Sequence, residues 1–164
     1  MPDVAILMGS DSDFDVVKEA TVQLDKFGVS YEVRVLSAHR APHKLAEFVQ
    51  NSKSVKVFIC AAGGAAHLAG VVAALTTRPV IGIPIPTTTV QSLDSILSML
   101  QMPSGIPVAC VAASKGGAAN AGILAAQILA LSNDSLARKM EEHKRELEKG
   151  CLEKDAKLQQ SLKK

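Results

Sequence analysis

The side chains best equipped for chemistry stand together in Ser37-Ala38-His39-Arg40-Ala41-Pro42. Histidine is the side-chain type that takes and returns a proton near neutral pH, and Arg40 adds a planar, permanently charged fork suited to phosphate or carboxylate. One residue would hold an anion while its neighbour moves a proton. Alone, this stretch reads equally as a solvated polar turn, and two further loops decide against that. Gly9-Ser10-Asp11-Ser12-Asp13 sets hydroxyls beside carboxylates. Asp11 and Asp13 would repel a phosphate, which assigns the hydroxyls of Ser10 and Ser12 to the anion and Asp13 to neutral donors such as sugar hydroxyls. Asp13 serves equally as the N-cap of the following helix, and one cap can do both jobs. In Ala62-Gly63-Gly64-Ala65-Ala66-His67-Leu68 the small residues let backbone approach a ligand closely. His67 there either contacts the ligand or is a structural residue that opens a helix.

Each of these loops follows a run that reads as a strand. Val4 to Met8 is continuously apolar, as expected of a parallel strand covered on both faces. Tyr31 to Leu36 alternates β-branched residues, and Val55 to Ala61, Val80 to Ile85 and Ile106 to Ala112 supply three more strands. Helical spacing recurs between them: Val16, Val17, Ala20, Leu24 and Phe27, closed by Gly28; Leu45, Phe48 and Val49, opened by Pro42; Leu93, Ile96, Leu97 and Leu100; and the alanine-rich run Ala121 to Leu131. Thr87 to Val90 reads as a polar loop and Lys115 to Asn120 as a Gly-rich one. Strands alternating with helices predict an α/β fold, a three-layer α/β/α sandwich on a parallel five-stranded sheet with right-handed crossovers. Strand order 2-1-3-4-5 is expected, because strands one and three then flank the switch point where ligands bind outside the strands' C-terminal ends.

From Ser135 the composition turns to Lys, Glu and Gln, with Leu136, Met140, Leu147, Cys151, Leu158 and Leu162 as a narrow apolar stripe. The expected division is a domain over residues 1–133 and a helical extension over 134–164, lying on that domain or on a neighbouring subunit. Gly150 in its middle also allows a frayed, solvated tail.

Composition narrows the function. The 164 residues can bury one real core, and 48% are hydrophobic against 21% charged. Aromatic residues make up 3%, Trp is absent, and the net charge of +2 forms no basic stripe, so no nucleic-acid partner is expected. Three cysteines without C-x-x-C spacing give neither a disulfide framework nor a zinc site; Cys60 and Cys110 read as buried, inert thiols. No clustered metal-ligand set or Walker loop is present, and no metal or cofactor is expected. Ile106 to Leu131, the most membrane-like stretch, is interrupted by Lys115, Gly116, Gly117 and Asn120, and Val4 to Met8 is too short for a leader. A cytoplasmic protein acting on a small molecule is expected.

The three loops, with Asp94-Ser95, Ser98, Gln101-Met102-Pro103 and Ala118-Ala119-Asn120-Ala121-Gly122, resemble the PurE family of purine biosynthesis in order and spacing from Val4 to about Leu131. The resemblance implies a flavodoxin-like fold, a homo-octamer with shared active sites, and a carboxylated aminoimidazole ribonucleotide as substrate. The segment Gly63-Gly64-Ala65-Ala66-His67-Leu68 is similar to that of the class that moves the carboxylate from N5 to C4 of the imidazole. The alternative class, which carboxylates aminoimidazole ribonucleotide directly with CO2, usually has a different segment there. The resemblance implies His39 as the proton shuttle, Arg40, Ser12 and Ser37 on the ribose phosphate, Asp13 on the ribose hydroxyls, and Ser10 with backbone near Gly64 and Ala65 facing the carboxylate or base. His67 joins this set as a substrate contact. Three places depart from the family pattern: Ala69 for a usual proline, Phe14 for a usual tryptophan, and the segment Gln91-Ser92 where a glycine is common. A non-catalytic flavin or nucleotide module on the same fold, and an interaction scaffold built on the charged tail, are readings from other classes.

Overall fold

A computed structural model describes residues 1–87, 90 and 92–162 of the chain. Thr88 and Thr89 of the expected polar loop, and Gln91, lie outside them. Five strands, β1 (Val4–Met8), β2 (Tyr31–Val35), β3 (Val57–Ala62), β4 (Val80–Pro84) and β5 (Ala109–Cys110), form one sheet in the order β2-β1-β3-β4-β5. All neighbours are parallel, with Val4 paired to both Tyr31 and Val57. This is the expected topology, flavodoxin-like. Among the described residues six α-helices connect or follow the strands: α1 (Phe14–Phe27), α2 (Pro42–Asn51), α3 (Leu68–Leu75), α4 (Leu93–Leu100), α5 (Lys115–Ala130) and α6 (Asp134–Leu162).

The pleat sorts the strand residues into two cores. Val4, Ile6, Met8, Val57, Ile59, Ile81 and Ile83 face α1 and α5, meeting Val17, Leu24, Ala121 and Ala125. Ala5, Leu7, Phe58, Cys60 and Val80 face the other side, against Leu45, Val49, Leu68, Val72 and Met99 of α2, α3 and α4. Because successive strand residues point to opposite faces, a strand buried on both sides must be apolar throughout, which is why β1 and β3 carry no polar residue.

Several sequence-based expectations need correction. β5 is two residues, not Ile106 to Ala112: it lies at the sheet edge, bonded only to β4, and Pro107 has no N–H to give. Cys110 in it is only partly buried, whereas Cys60 is fully enclosed and its thiol pKa is pushed far up by desolvation. Lys115 to Asn120 is not a loop but the start of α5, whose cap is Ser114, its side chain accepting the Gly117 N–H at 3.0 Å. Two of its glycines serve packing. A Cβ on Gly117 would lie 1.7 Å from the Ala112 carbonyl oxygen, and one on Gly122 would lie 2.6 Å from that of Ala20 in α1. α6 runs unbroken through Gly150.

The first half of α6 is tied to α1. Lys139 Nζ donates to the Phe27 carbonyl at the α1 C-terminus (2.8 Å), and Lys26 Nζ meets Glu146 Oε2 at 2.8 Å and His143 Nδ1 at 3.2 Å. His143 Nε2 is buried, and among the described residues it has no hydrogen-bond partner. Beyond this contact Leu147, Leu152, Leu158 and Leu162 are exposed. Among the described residues no helix is long and apolar enough to cross a membrane.

Candidate active site

The loops after β1, β2 and β3 meet where the chain reverses direction across the sheet, between β1 and β3. They enclose a cavity of about 390 Å³ lined by Gly9, Ser10 and Asp13 of the first loop, Ser37 to Arg40 of the second, and Ala62, Gly63, Ala65, His67 and Leu68 of the third. Of the nine residues singled out in the sequence, Ser10, Asp13, Ser37, His39, Arg40, Ala65 and His67 line it. Ser12 and Gly64 do not. Ser12 stands at the rim with its Oγ 2.8 Å from that of Ser10, and Gly64 makes the turn beside the wall with φ +62°, a left-handed conformation that glycine adopts freely. A larger groove of about 990 Å³ opens at the opposite end of the sheet, along Val49, Ala73 to Val80, Gly105 to Pro107 and Ala109. Its lining is mostly apolar, with Gln50, Thr76, Thr77 and Arg78 as its polar side chains.

Local hydrogen bonds shape the first loop. A single 3₁₀ turn (Asp11–Asp13) precedes α1, and Ser10 and Asp13 close it reciprocally: the Ser12 N–H donates to Ser10 Oγ (3.4 Å) and the Ser10 N–H to Asp13 Oδ2 (3.2 Å). Asp13 occupies the N-cap position of α1 but its carboxylate makes no capping bond to that helix. The cap expected from the sequence is therefore spent on the preceding turn. Burial raises the Asp13 carboxyl above its ordinary pKa, opposed by the Ser10 N–H and by Arg40. The sign is that of a site residue: a raised carboxyl favours the folded state in acid, and that benefit disappears once pH rises through its pKa, so the ionised group held near neutrality weakens the fold.

Two contacts knit the loops together. Arg40 Nη2 donates to the Gly9 carbonyl, joining loop two to loop one, while the Arg40 N–H donates to Ser37 Oγ at 3.2 Å. Among the described residues no carboxylate is ion-paired with Arg40, which leaves the rest of its fork to an anion. His39 Nε2 and His67 Nδ1 lie 2.8 Å apart with the rings edge to face at 86°, joining loop two to loop three. One of these nitrogens donates and the other accepts, so the two imidazoles share one hydrogen. His67 also opens α3 at its N-cap position without a side-chain cap bond. Its partner is His39, a link between residues 28 positions apart that spacing alone does not reveal. Gly9, Ala38, Ala62 and Leu68 also line the cavity; the Gly9 carbonyl, as the Arg40 anchor, has no side-chain signature in the sequence. Among the described residues no group of three or more His, Cys, Asp or Glu is arranged to hold a metal ion.

A three-layer fold on a parallel sheet, with an arginine and a bonded histidine pair at its switch point, has the form of a small-molecule enzyme of the flavodoxin-like class. The chain belongs to the AIR carboxylase family, whose model matches residues 3–150. It is 48% identical over 162 residues to the N5-carboxyaminoimidazole ribonucleotide mutase of Thermotoga maritima, covering 98% of this chain and 94% of that one. With the mutase of Bacillus subtilis it shares 46% identity over 159 residues, 96% and 98% of the two chains. Among solved structures, Treponema denticola PurE superimposes with a TM-score of 0.86 at 30% identity, over 96% of this chain and 99% of that one.

Proposed function

We propose that this cavity binds N5-carboxyaminoimidazole ribonucleotide and moves its carboxylate from N5 to C4 of the imidazole, an isomerase reaction of purine biosynthesis. The observation that carries the reading is the bonded His39–His67 pair on one wall of a small cavity that Arg40 and Asp13 also line. Near-complete alignment with relatives named for this reaction supports it.

The chemistry asks for little else. The N5–carboxylate bond breaks, its electron pair stays on nitrogen, and that nitrogen takes a proton while CO2 is released into the cavity. C4 then attacks the CO2 and afterwards gives up its own proton. One acid/base group can serve both transfers, and His39 fills that role: it is exposed to the cavity, and His67 can supply or accept the hydrogen on its other side. The loose CO2 must be kept from solvent, and the Gly63–Ala65 wall has small side chains that do not compete for it. Arg40, with Ser37 and Ser12, holds the ribose phosphate; Asp13 takes the ribose hydroxyls; Ser10, Gly64, Ala65 and His67 face the base and its carboxylate.

A ligand assay separates the phosphate site from the rest. The C4-carboxylated ribonucleotide is expected to raise the melting temperature and its dephosphorylated riboside to leave it nearly unchanged. Arg40→Ala should weaken nucleotide binding about tenfold to a hundredfold, the effect of losing charge-assisted hydrogen bonds. Equal binding of nucleotide and riboside would contradict this assignment.

The assembly is read as a homo-oligomer, an octamer. Leu93, Leu97 and Leu100 form an exposed apolar face on α4 beside exposed Val90, which supports burial against further copies. The three free cysteines fit a reducing cytoplasm.

A further inference from the structure

The cavity wall at Gly63 has a second layer behind it. A Cβ built on Gly63 would touch Ile85 Cβ and Thr87 Cγ2, both at 3.5 Å, so the segment leaving β4 lies directly against the backbone of the wall. The Ile85 N–H also donates to the Ala62 carbonyl at 2.9 Å. This outer layer is held from the start of α4. Thr87 Oγ1 donates to Asp94 Oδ1 (2.9 Å), which also accepts the Ser95 N–H (2.8 Å). The Thr87 N–H donates to Ser92 Oγ at 3.1 Å, and the fully buried Ser95 hydroxyl bonds the Ile85 and Ser92 carbonyls at 3.1 and 3.0 Å.

Ser92 holds that hydroxyl in place with φ +67°, and it is the one non-glycine residue with positive φ among those described. The left-handed region is disfavoured for an L-residue, so the surrounding bonds outweigh a local penalty at this spot. None of Thr87, Ser92, Asp94 or Ser95 lines the cavity. Their bonds serve the placement of the layer that does not touch substrate but backs the one that does.

We infer that Asp94 is a positioning residue for the carboxylate transfer: through Thr87 it braces the Gly63 wall and so keeps the released CO2 in the cavity until C4 attacks it. The inference rests on the reaction assigned above. Loss of the brace lets the wall part more often, CO2 exchanges with dissolved CO2, and the carboxylate that ends on C4 is no longer the one that left N5.

Isotope exchange reads this directly. Unlabelled N5-carboxylated ribonucleotide is turned over in ¹³C-bicarbonate with carbonic anhydrase present, and initial ¹³C in the C4-carboxylated product is counted per turnover, with the enzyme-free background subtracted. Wild type should incorporate little label. Asp94→Ala and Thr87→Val should raise label per turnover about five- to tenfold, the population change expected from one lost hydrogen bond. Asp94→Asn keeps the Oδ1 acceptor for both bonds and should return to the wild-type value. Thr87→Val preserves shape and the methyl against Gly63, so it carries the test if Asp94→Ala does not fold. Wild-type label levels in variants that still turn over, or an Asp94→Asn variant as leaky as Asp94→Ala, would overturn the inference. Failure of the wild-type chain to convert the substrate would instead overturn the reaction itself, and the inference with it.

Discussion

His39→Asn should lower kcat by a factor of about 10²–10⁴ with little change in KM, the range typical of losing a general acid/base. The variant isolates proton transfer. His39 is exposed and belongs to neither core, so its replacement should leave the melting temperature near wild type. Asparagine can still hydrogen-bond to His67 but cannot take up a proton at neutral pH. His67→Asn should cost less, since it removes the relay partner and leaves the acid/base group in place. Steady-state kinetics beside thermal melting checks the prediction: His39→Asn within tenfold of wild type would remove His39 from the role given to it.

Gly117→Ala should cost roughly 3 kcal/mol or more of stability, as overpacking against fixed backbone does. The usual expectation for a helix interior is the opposite, a gain of about 1 kcal/mol on replacing glycine by alanine. Here the first turn of α5 tucks beneath the chain leaving β5, and the new methyl would fall 1.7 Å from the Ala112 carbonyl oxygen, 2.6 Å from its carbon and 3.0 Å from its Cα. Backbone cannot rotate aside as a flexible side chain can, so α5 or the 112–114 turn must shift, and the Ser114 cap goes with it. Gly150 provides the control. It lies within α6 with nothing within 4 Å of a built Cβ, so Gly150→Ala should follow the usual rule and stabilise by about 1 kcal/mol. Urea titration of both variants separates the cases, and equal stabilities for Gly117→Ala and wild type would contradict the packing described.

The parallel sheet and its order were legible because both-face burial leaves an unmistakable sign: β1 and β3 are apolar at every position. Edge strand β5 left a misleading one. Ile106 to Ala112 is as apolar as a central strand, but side-chain pattern says nothing of Pro107's missing donor or of having one neighbour. The start of α5 was hidden for a related reason, since Gly116 and Gly117 signal a loop by propensity, while Gly117 is there because the 112–114 turn comes close. In the site, the loops themselves were readable from residue type and position after a strand. What joins them was not: the His39–His67 bond and the Arg40–Gly9 contact bridge 28 and 31 positions, and the second involves a carbonyl that every residue possesses. Asp13 illustrates the same limit, because an aspartate before a helix looks like its cap whether the carboxylate turns forward to α1 or back to Ser10.

The measurement closest to the central claim is turnover by the purified chain with N5-carboxyaminoimidazole ribonucleotide, run in parallel with aminoimidazole ribonucleotide plus bicarbonate. The account predicts enzyme-dependent formation of the C4-carboxylated ribonucleotide from the first substrate, and from the second only as fast as the N5-carboxylated compound forms spontaneously. Enzyme-dependent carboxylation of aminoimidazole ribonucleotide with no conversion of the N5-carboxylated substrate would contradict it.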